Sequence, residues 1–197
     1  MTTPHTDTAI TVVAAHPAHR PTLLQTTSAF GAVLFSGLFA GFLTTVLVFE
    51  ASLRGFGAAV YTQVRLIELE HLGDLATALL VPAILAAAAL TLALIRRRGS
   101  GRWLALAAVL LLLATLAISA SISVPINTDQ KSWSVSAPPG DWSNVRDRWQ
   151  LAHAARTTTA ALAFVLLTAA VVPLRWARNA VQPSAAIGNN KSKRTTA

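Results

Sequence analysis

Four residues late in the chain form its clearest chemical pattern. They are separated by three, four and three residues, which places them on one face of a helix: Arg146, Trp149, His153 and Arg156. A histidine side chain has an ordinary pKa of about 6.5, so His153 is suited to accept a proton near neutral pH. A neighbouring arginine would stabilise the anion that remains. We therefore predict His153, Arg146 and Arg156 as catalytic residues.

A second group of residues suggests a metal site. Glu68 and His71 have the i, i+3 spacing of the carboxylate–imidazole element in metal-binding helix bundles. Imidazole together with carboxylate suits iron, copper or manganese. The predicted ligands are Glu50, Glu68, His71 and His153, with iron or copper as the redox-active ion. A di-iron site would need a second Glu-x-x-His, and Gln150 stands where that glutamate would be. Without a metal, dioxygen is the expected co-substrate and no cofactor is expected.

Ion pairing is the alternative explanation for the acidic residues. Glu68 and Glu70 can pair with Arg65 or Arg54 at the membrane surface. Exposed ion pairs of this kind contribute little to stability. Under this interpretation the acidic residues have a structural role and bind no metal.

The same alternative applies to the basic residues of the fourth span. His153 and Arg156 can form hydrogen bonds that hold this span to Glu50 or Asn127. Polar groups at membrane depth are costly enough to require partners. That cost predicts partners for both side chains, whether or not they are catalytic.

Aromatic side chains in the same part of the chain suggest a site for a flat apolar molecule. Their rings provide apolar surfaces, and nearby polar groups would orient a ligand. The predicted substrate-binding residues are Trp133, Trp142, Trp149, Asn127 and Tyr61. Tryptophan also favours the membrane interface without any ligand, so membrane anchoring is the alternative for the three tryptophans.

Membrane-spanning helices are the elements predicted to position these residues. The chain has 197 residues, of which 53% are hydrophobic and 12% charged, which is unusual for a soluble domain. Four runs contain no charged residue: 21–49, 75–95, 103–128 and 157–174. About 20 apolar residues cross a hydrocarbon core of about 30 Å. We predict an all-α integral membrane four-helix bundle with spans at about 24–50, 72–95, 103–125 and 154–174.

The basic residues predict the orientation of the bundle. They lie between spans two and three and after span four: Arg96, Arg97, Arg98, Arg102, Arg175, Arg178, Lys191, Lys193 and Arg194. By the positive-inside rule these segments and both termini are cytoplasmic, in a plasma (inner) membrane. The same rule accounts for the net charge of +8 without a nucleic-acid partner. Seven of the eight acidic residues then lie at the opposite face.

The ends of the chain and its lack of cysteine narrow the class further. Residues 1–20 and 179–197 are predicted to be disordered cytoplasmic tails around a transmembrane domain of residues 21–178. In the first tail, His5, His16 and His19 are expected to be solvated. The first apolar run is longer than a cleaved signal peptide, so we expect a retained helix. The absence of cysteine excludes disulfides and thiolate chemistry.

Small residues and a proline carry information about individual spans. Gly37 and Gly41 form a small-xxx-small pattern, which we expect to pack within the chain, with a homo-oligomer as the alternative. Pro125 removes a backbone donor and predicts the end of the third span. Ser119, Ser123 and Asn127 follow one another at intervals of four and form a polar strip towards that end.

The stretch of residues 124–164 resembles the anthrone oxygenase-like family of small four-helix integral membrane proteins. It reads VPIN, then Trp133, then PPGDW, then RDRWQLAHAARTTTAALAF. In that family an Asn follows the Pro of the third helix, and a Trp, Arg, Trp, His, Arg succession opens the fourth. The corresponding residues are Asn127, Trp142, Arg146, Trp149, His153 and Arg156.

The resemblance implies a membrane-embedded oxidoreductase of the oxygenase type. Characterised members are similar to oxygenases of aromatic polyketide pathways, which convert an anthrone methylene to a quinone carbonyl with dioxygen. The implied substrate is a small hydrophobic molecule, aromatic or a secondary metabolite, that arrives from the membrane. His153 would remove its methylene proton, and Arg146 or Arg156 would stabilise the phenolate. The acidic cluster of Glu68, Glu70, His71 and Asp74 is not associated with the family as a whole.

A non-catalytic membrane module is the alternative class. It would be a small-molecule carrier or a subunit that stabilises a partner complex, with a purely structural polar cluster. Four short helices leave little room for an alternating-access transporter, and none of the spans has the broken helix or charged midplane typical of one. In either class the expected partners are the lipid bilayer and a hydrophobic small molecule.

Overall fold

Four long antiparallel helical spans make up the fold, which a computed structural model describes for residues 22–179. The helices are α1 Leu23–Ser52, α2 Ala58–Arg96, α3 Arg102–Ile118, α4 Val124–Gln130 and α5 Trp142–Asn179. A π-helical segment, Ser119–Ser123, joins α3 to α4, so that these two helices form one span. All four spans are long and apolar enough to cross a membrane. The described residues contain no strand, and the predicted all-α membrane bundle is confirmed.

The predicted tails fall almost entirely outside this part of the chain. Residues 1–21 and 180–197 are not described, and they include His5, His16 and His19. Asn179, assigned to the second tail from the sequence, is the last residue of α5.

The helices form a ring in the order α1, α2, α3, α5. α1 packs against α2 and α5, and α3 packs against the same two helices. Short connections make neighbouring helices antiparallel. Residues 53–57 and 131–141 therefore connect helices at one end of the bundle, which we call the polar end. The connection between α2 and α3 lies at the other end.

Small side chains let the helices approach closely. Hydrophobic burial does not drive helices together in lipid, so tight packing of small residues has a larger part there than in water. Much of the core is alanine: Ala29, Ala32, Ala83, Ala87, Ala105, Ala108, Ala160, Ala163 and Ala170. A Cβ atom added to Gly37 would lie 3.0 Å from the ring of Phe164, so this glycine packs within the chain as expected. Gly41 instead is exposed, and a Cβ atom there would have nothing within 4 Å.

The sequence predicts that the third span ends at Pro125, but in the structure it continues past this residue. The helix continues to Gln130, because the π-helical segment comes first and Pro125 then lies in the first turn of α4. A missing N–H is tolerated in a first turn. The extra residue of a π turn rotates the following residues by about 100° around the helix. Gln130 is thereby part of the bundle interior, and Asn127 is half-buried beside it.

Candidate functional site

A buried arginine is the centre of a polar cluster at the polar end. Arg65 of α2 is only 3% exposed. Its Nη1 donates to Glu50 Oε1 at 3.1 Å and to Glu68 Oε2 at 2.5 Å. Its Nη2 donates to Asn127 Oδ1 at 3.0 Å and to Gln130 Oε1 at 2.9 Å, and its Nε donates to the same Gln130 oxygen at 3.2 Å. The guanidinium is thus fully paired and ties together α1, α2 and α4.

Gln150 extends the cluster to α5. Its amide nitrogen donates to the backbone oxygen of Glu50 at 2.8 Å and to Glu50 Oε2 at 3.1 Å. Its amide oxygen accepts a hydrogen bond from Arg54 Nε at 2.6 Å. Both carboxylate oxygens of Glu50 are therefore occupied, one by Arg65 and the other by Gln150.

Trp149 connects the cluster to His153. The guanidinium carbon of Arg65 lies 4.1 Å from the centroid of the Trp149 ring. The indole N–H donates to Asn127 Oδ1 at 2.7 Å. The imidazole of His153 stacks on the same indole, with ring centroids 4.9 Å apart and an angle of 6° between the planes. Trp149 therefore orients His153 and is held in place itself.

The hydrogen bonds of His153 leave one of its ring nitrogens without a partner. The side chain is 2% exposed, and its Nε2 lies 2.9 Å from the carbonyl oxygen of Leu43. A carbonyl oxygen can only accept, so Nε2 carries the proton and the neutral ring has its lone pair on Nδ1. Nδ1 is buried and has no hydrogen-bond partner. A buried basic nitrogen without a hydrogen-bond partner can accept a proton from a molecule that binds beside it.

Arg156 is also buried, and no carboxylate neutralises it. The residue is 8% exposed, its Nε has no hydrogen-bond partner, and it forms no ion pair within residues 22–172. Arg65, by contrast, has two carboxylates. An arginine buried without a counter-ion is costly, and such a side chain can neutralise an anion that binds beside it.

His153 and Arg156 line one cavity of about 60 Å³ between α1, α2 and α5. Arg65, Glu68, Asn127 and Trp149 also line it. The remaining wall is mainly apolar: Phe42, Val46, Leu69, Leu72, Gly73 and Ala76. This volume admits a few water-sized molecules, whereas pockets that enclose a drug-sized ligand measure about 300–1,000 Å³. The cavity can therefore hold dioxygen and the reactive edge of a larger molecule, but not a whole ring system.

Several residues predicted from the sequence lie elsewhere at the polar end. Arg146 pairs with Asp147 at 3.0 Å, and its guanidinium carbon lies 5.0 Å from the Trp142 ring centroid. The Tyr61 and Trp142 rings are 5.6 Å apart, and Tyr61 shares a buried cluster with Trp133. None of these four predicted site residues is among the residues that line the cavity.

The predicted metal ligands are not brought together either. Glu50 and Glu68 both bind Arg65, and His71 is exposed. Residues 65 and 71 are six positions apart, which is about 120° around a helix. The side chains of Arg65 and His71 therefore cannot both point into the bundle. In the described part of the chain, no three His, Cys, Asp or Glu side chains are grouped as metal ligands. These residues do not fit the predicted iron or copper site.

Some of the ion pairs and hydrogen bonds predicted as structural alternatives are present, and others are not. The pairing of Glu68 with Arg65 is confirmed, but the pair is buried and not at the surface. The predicted link from α5 to Glu50 or Asn127 exists, but Gln150 and Trp149 form it. His153 binds a backbone carbonyl instead, and the expectation that Arg156 makes such a link is wrong.

The burial of Arg65 differs from our prediction. From the sequence we expect Arg65 only as a surface partner for a glutamate. One signal was present, because Arg65 lies four residues after Tyr61 and three before Glu68, and both of these are buried. A shared helix face for all three would place the guanidinium inside the bundle.

The fold and the site define a class: a small four-helix integral membrane protein with a buried histidine and an unpaired arginine in one cavity. Residues 71–166 match the family model described as anthrone oxygenase, and this match confirms the resemblance drawn from the sequence. It extends from α2 into α5 and includes the cavity residues of α4 and α5. The match suggests an oxygenase-like function. No curated protein and no solved structure matches the chain.

Proposed function

We propose that this protein is a membrane-embedded oxygenase-like oxidoreductase that acts on a small hydrophobic aromatic substrate. The observation that carries this proposal is the juxtaposition of the free Nδ1 of His153 and the unpaired Arg156 in one cavity. A base next to a cation is suited to remove a proton from a carbon acid and to stabilise the resulting oxyanion. The anthrone oxygenase match supports a substrate of the anthrone type.

The proposed reaction converts the methylene group of an anthrone to a carbonyl. His153 Nδ1 accepts one methylene proton, and the electron pair is delocalised onto the ketone oxygen as a phenolate beside Arg156. The carbanion adds dioxygen to give a peroxide anion, which takes the proton back from His153 and becomes a hydroperoxide on the same carbon. Loss of water from this hydroperoxide leaves the quinone carbonyl. One dioxygen is consumed for each anthrone, and it serves as both oxidant and oxygen donor.

Oxygen uptake by detergent-purified protein tests this proposal. Anthrone should be oxidised faster than in protein-free micelles of the same detergent, with one quinone formed for each dioxygen consumed. The micelle control is essential because anthrones also oxidise without a catalyst. A rate equal to that of empty micelles would reject the enzymatic proposal and favour a non-catalytic module.

Replacing Arg156 by Gln is expected to slow anthrone turnover by about 100-fold, the cost of removing an oxyanion partner. Because Arg156 has no counter-ion, this change should not lower the melting temperature. The matched control is Arg148→Gln, which removes one positive charge from an exposed position of the same helix. Equal rates for the two variants would contradict the role of Arg156.

We also propose that the polar end faces away from the cytoplasm, in a plasma (inner) membrane. The four arginines near the α2–α3 connection support this orientation by the positive-inside rule: Arg96, Arg97, Arg98 and Arg102. A topology reporter fused after residue 100 should be active in the cytoplasm, and one inserted at residue 137 should be active on the opposite side. The reverse pattern would invert the orientation.

A further inference from the structure

The cavity wall is interrupted on α2. Leu69, Leu72, Gly73 and Ala76 line the cavity at positions i, i+3, i+4 and i+7, which form one stripe along the helix. Within this stripe Gly73 is exposed, and a Cβ atom built on it would have no atom within 4 Å. The same residue thus belongs to both the cavity lining and the outer surface. Gly73 is therefore the place where the cavity can open sideways, through the wall of the bundle.

This opening lies at the level of the membrane interface. Gly73 is two residues before the charge-free run of residues 75–95, and the acidic residues Glu70 and Asp74 beside it are exposed. Flat molecules with an apolar ring and a polar group concentrate at this level, as tryptophan and tyrosine side chains do. A phenolic aromatic compound dissolved in the bilayer would therefore meet the opening without passing through water.

The size of the cavity indicates how such a compound would lie. About 60 Å³ cannot enclose three fused rings, so most of the ring system must remain in the opening. His153, which also lines the cavity, supplies the base for the methylene edge that enters, and Arg156 supplies a positive charge that stabilises the anion.

We propose that Gly73 is the lateral opening through which the aromatic substrate reaches His153 from the bilayer interface, and that its rings lie across this glycine when bound. This inference rests on the substrate class of the proposed function. Residue 73 would then determine the size of ring system that the protein accepts, because any larger side chain would fill the space the rings need.

Cysteine labelling tests the opening without requiring turnover. The chain contains no cysteine, so Gly73→Cys and Gly41→Cys each introduce a single reactive thiol. Both glycines are exposed with open space at the Cβ position, but only Gly73 lines the cavity. Under anaerobic conditions anthrone should slow the reaction of pyrenyl maleimide severalfold at position 73 and leave position 41 unaffected. Equal labelling with and without anthrone at position 73 would overturn the inference.

Kinetics of a bulky variant provide the second measurement. Phenylalanine is a better helix former than glycine, so Gly73→Phe and its control Gly41→Phe should both fold. Gly73→Phe is expected to raise the KM for anthrone by about 10-fold and to change kcat little. An unchanged KM would overturn the inference. If the wild-type protein does not oxidise anthrone but anthrone still protects the thiol at position 73, the proposed function fails and the opening stands.

Discussion

Replacing His153 by Gln should reduce anthrone-dependent oxygen uptake by about 100- to 10,000-fold, the usual contribution of a general base. Glutamine can still donate a hydrogen bond to the Leu43 carbonyl, so the packing of α5 against α1 should survive. It has no basic nitrogen to replace Nδ1. The most direct measurement is exchange of the anthrone methylene protons with D₂O under anaerobic conditions, because this step precedes any reaction with dioxygen.

The matched control for this experiment is His71→Gln. His71 is the other histidine of the predicted site, but it is exposed on α2 and does not line the cavity. Its replacement should leave both exchange and oxygen uptake unchanged. Equal losses in the two variants would contradict the separation of the histidines and support the predicted metal site. Wild-type exchange rates in His153→Gln, together with a lower melting temperature, would assign His153 a structural role.

Arg65→Met should destabilise the folded protein by about 3–5 kcal/mol, because it leaves buried carboxylates without their cation. Glu50 is 0% exposed and Glu68 is 7% exposed, so water cannot replace the lost guanidinium. The free energy of unfolding in mixed detergent micelles is the quantity to measure. Arg148→Met is the control, because Arg148 is exposed on α5 and its loss should cost less than about 1 kcal/mol.

A triple variant separates charge from packing in this result. Combining Arg65→Met with Glu50→Gln and Glu68→Gln removes the uncompensated carboxylates and should recover part of the lost stability. If Arg65→Met costs no more than Arg148→Met, Arg65 is not the centre of the cluster.

Much of the fold could be predicted because a membrane-spanning helix is recognisable in the sequence as a long run without charged residues. Charge-free runs show where the helices are, and periodicity correctly groups Trp149, His153 and Arg156 on one face. The same rule fails for Arg146 for a reason of distance. Arg146 is seven residues before His153, which is about 10.5 Å along a helix. It therefore lies on the same face of the helix as His153 but beyond the end of the cavity.

The pairing of side chains between helices could not be predicted in the same way. Periodicity gives the angle of a residue about its own axis, whereas contacts between helices also depend on how far one helix is displaced along its neighbour. Arg65 meets Gln130 and Asn127 because the third span continues past Pro125, and the sequence favours a break there. For a related reason the predicted metal ligands are not free to bind an ion: Glu50 and Glu68 both pair with the buried Arg65.

The distribution of charge within the polar cluster has a consequence for biogenesis. Arg65 and both of its carboxylates belong to α1 and α2, which are consecutive helices and leave the ribosome before α3. The second half of the chain adds only the neutral amides of Asn127, Gln130 and Gln150, together with the Trp149 ring. The charges can therefore neutralise one another inside this hairpin as soon as it is inserted. The later helices dock onto that pair and bring no charge of their own to it.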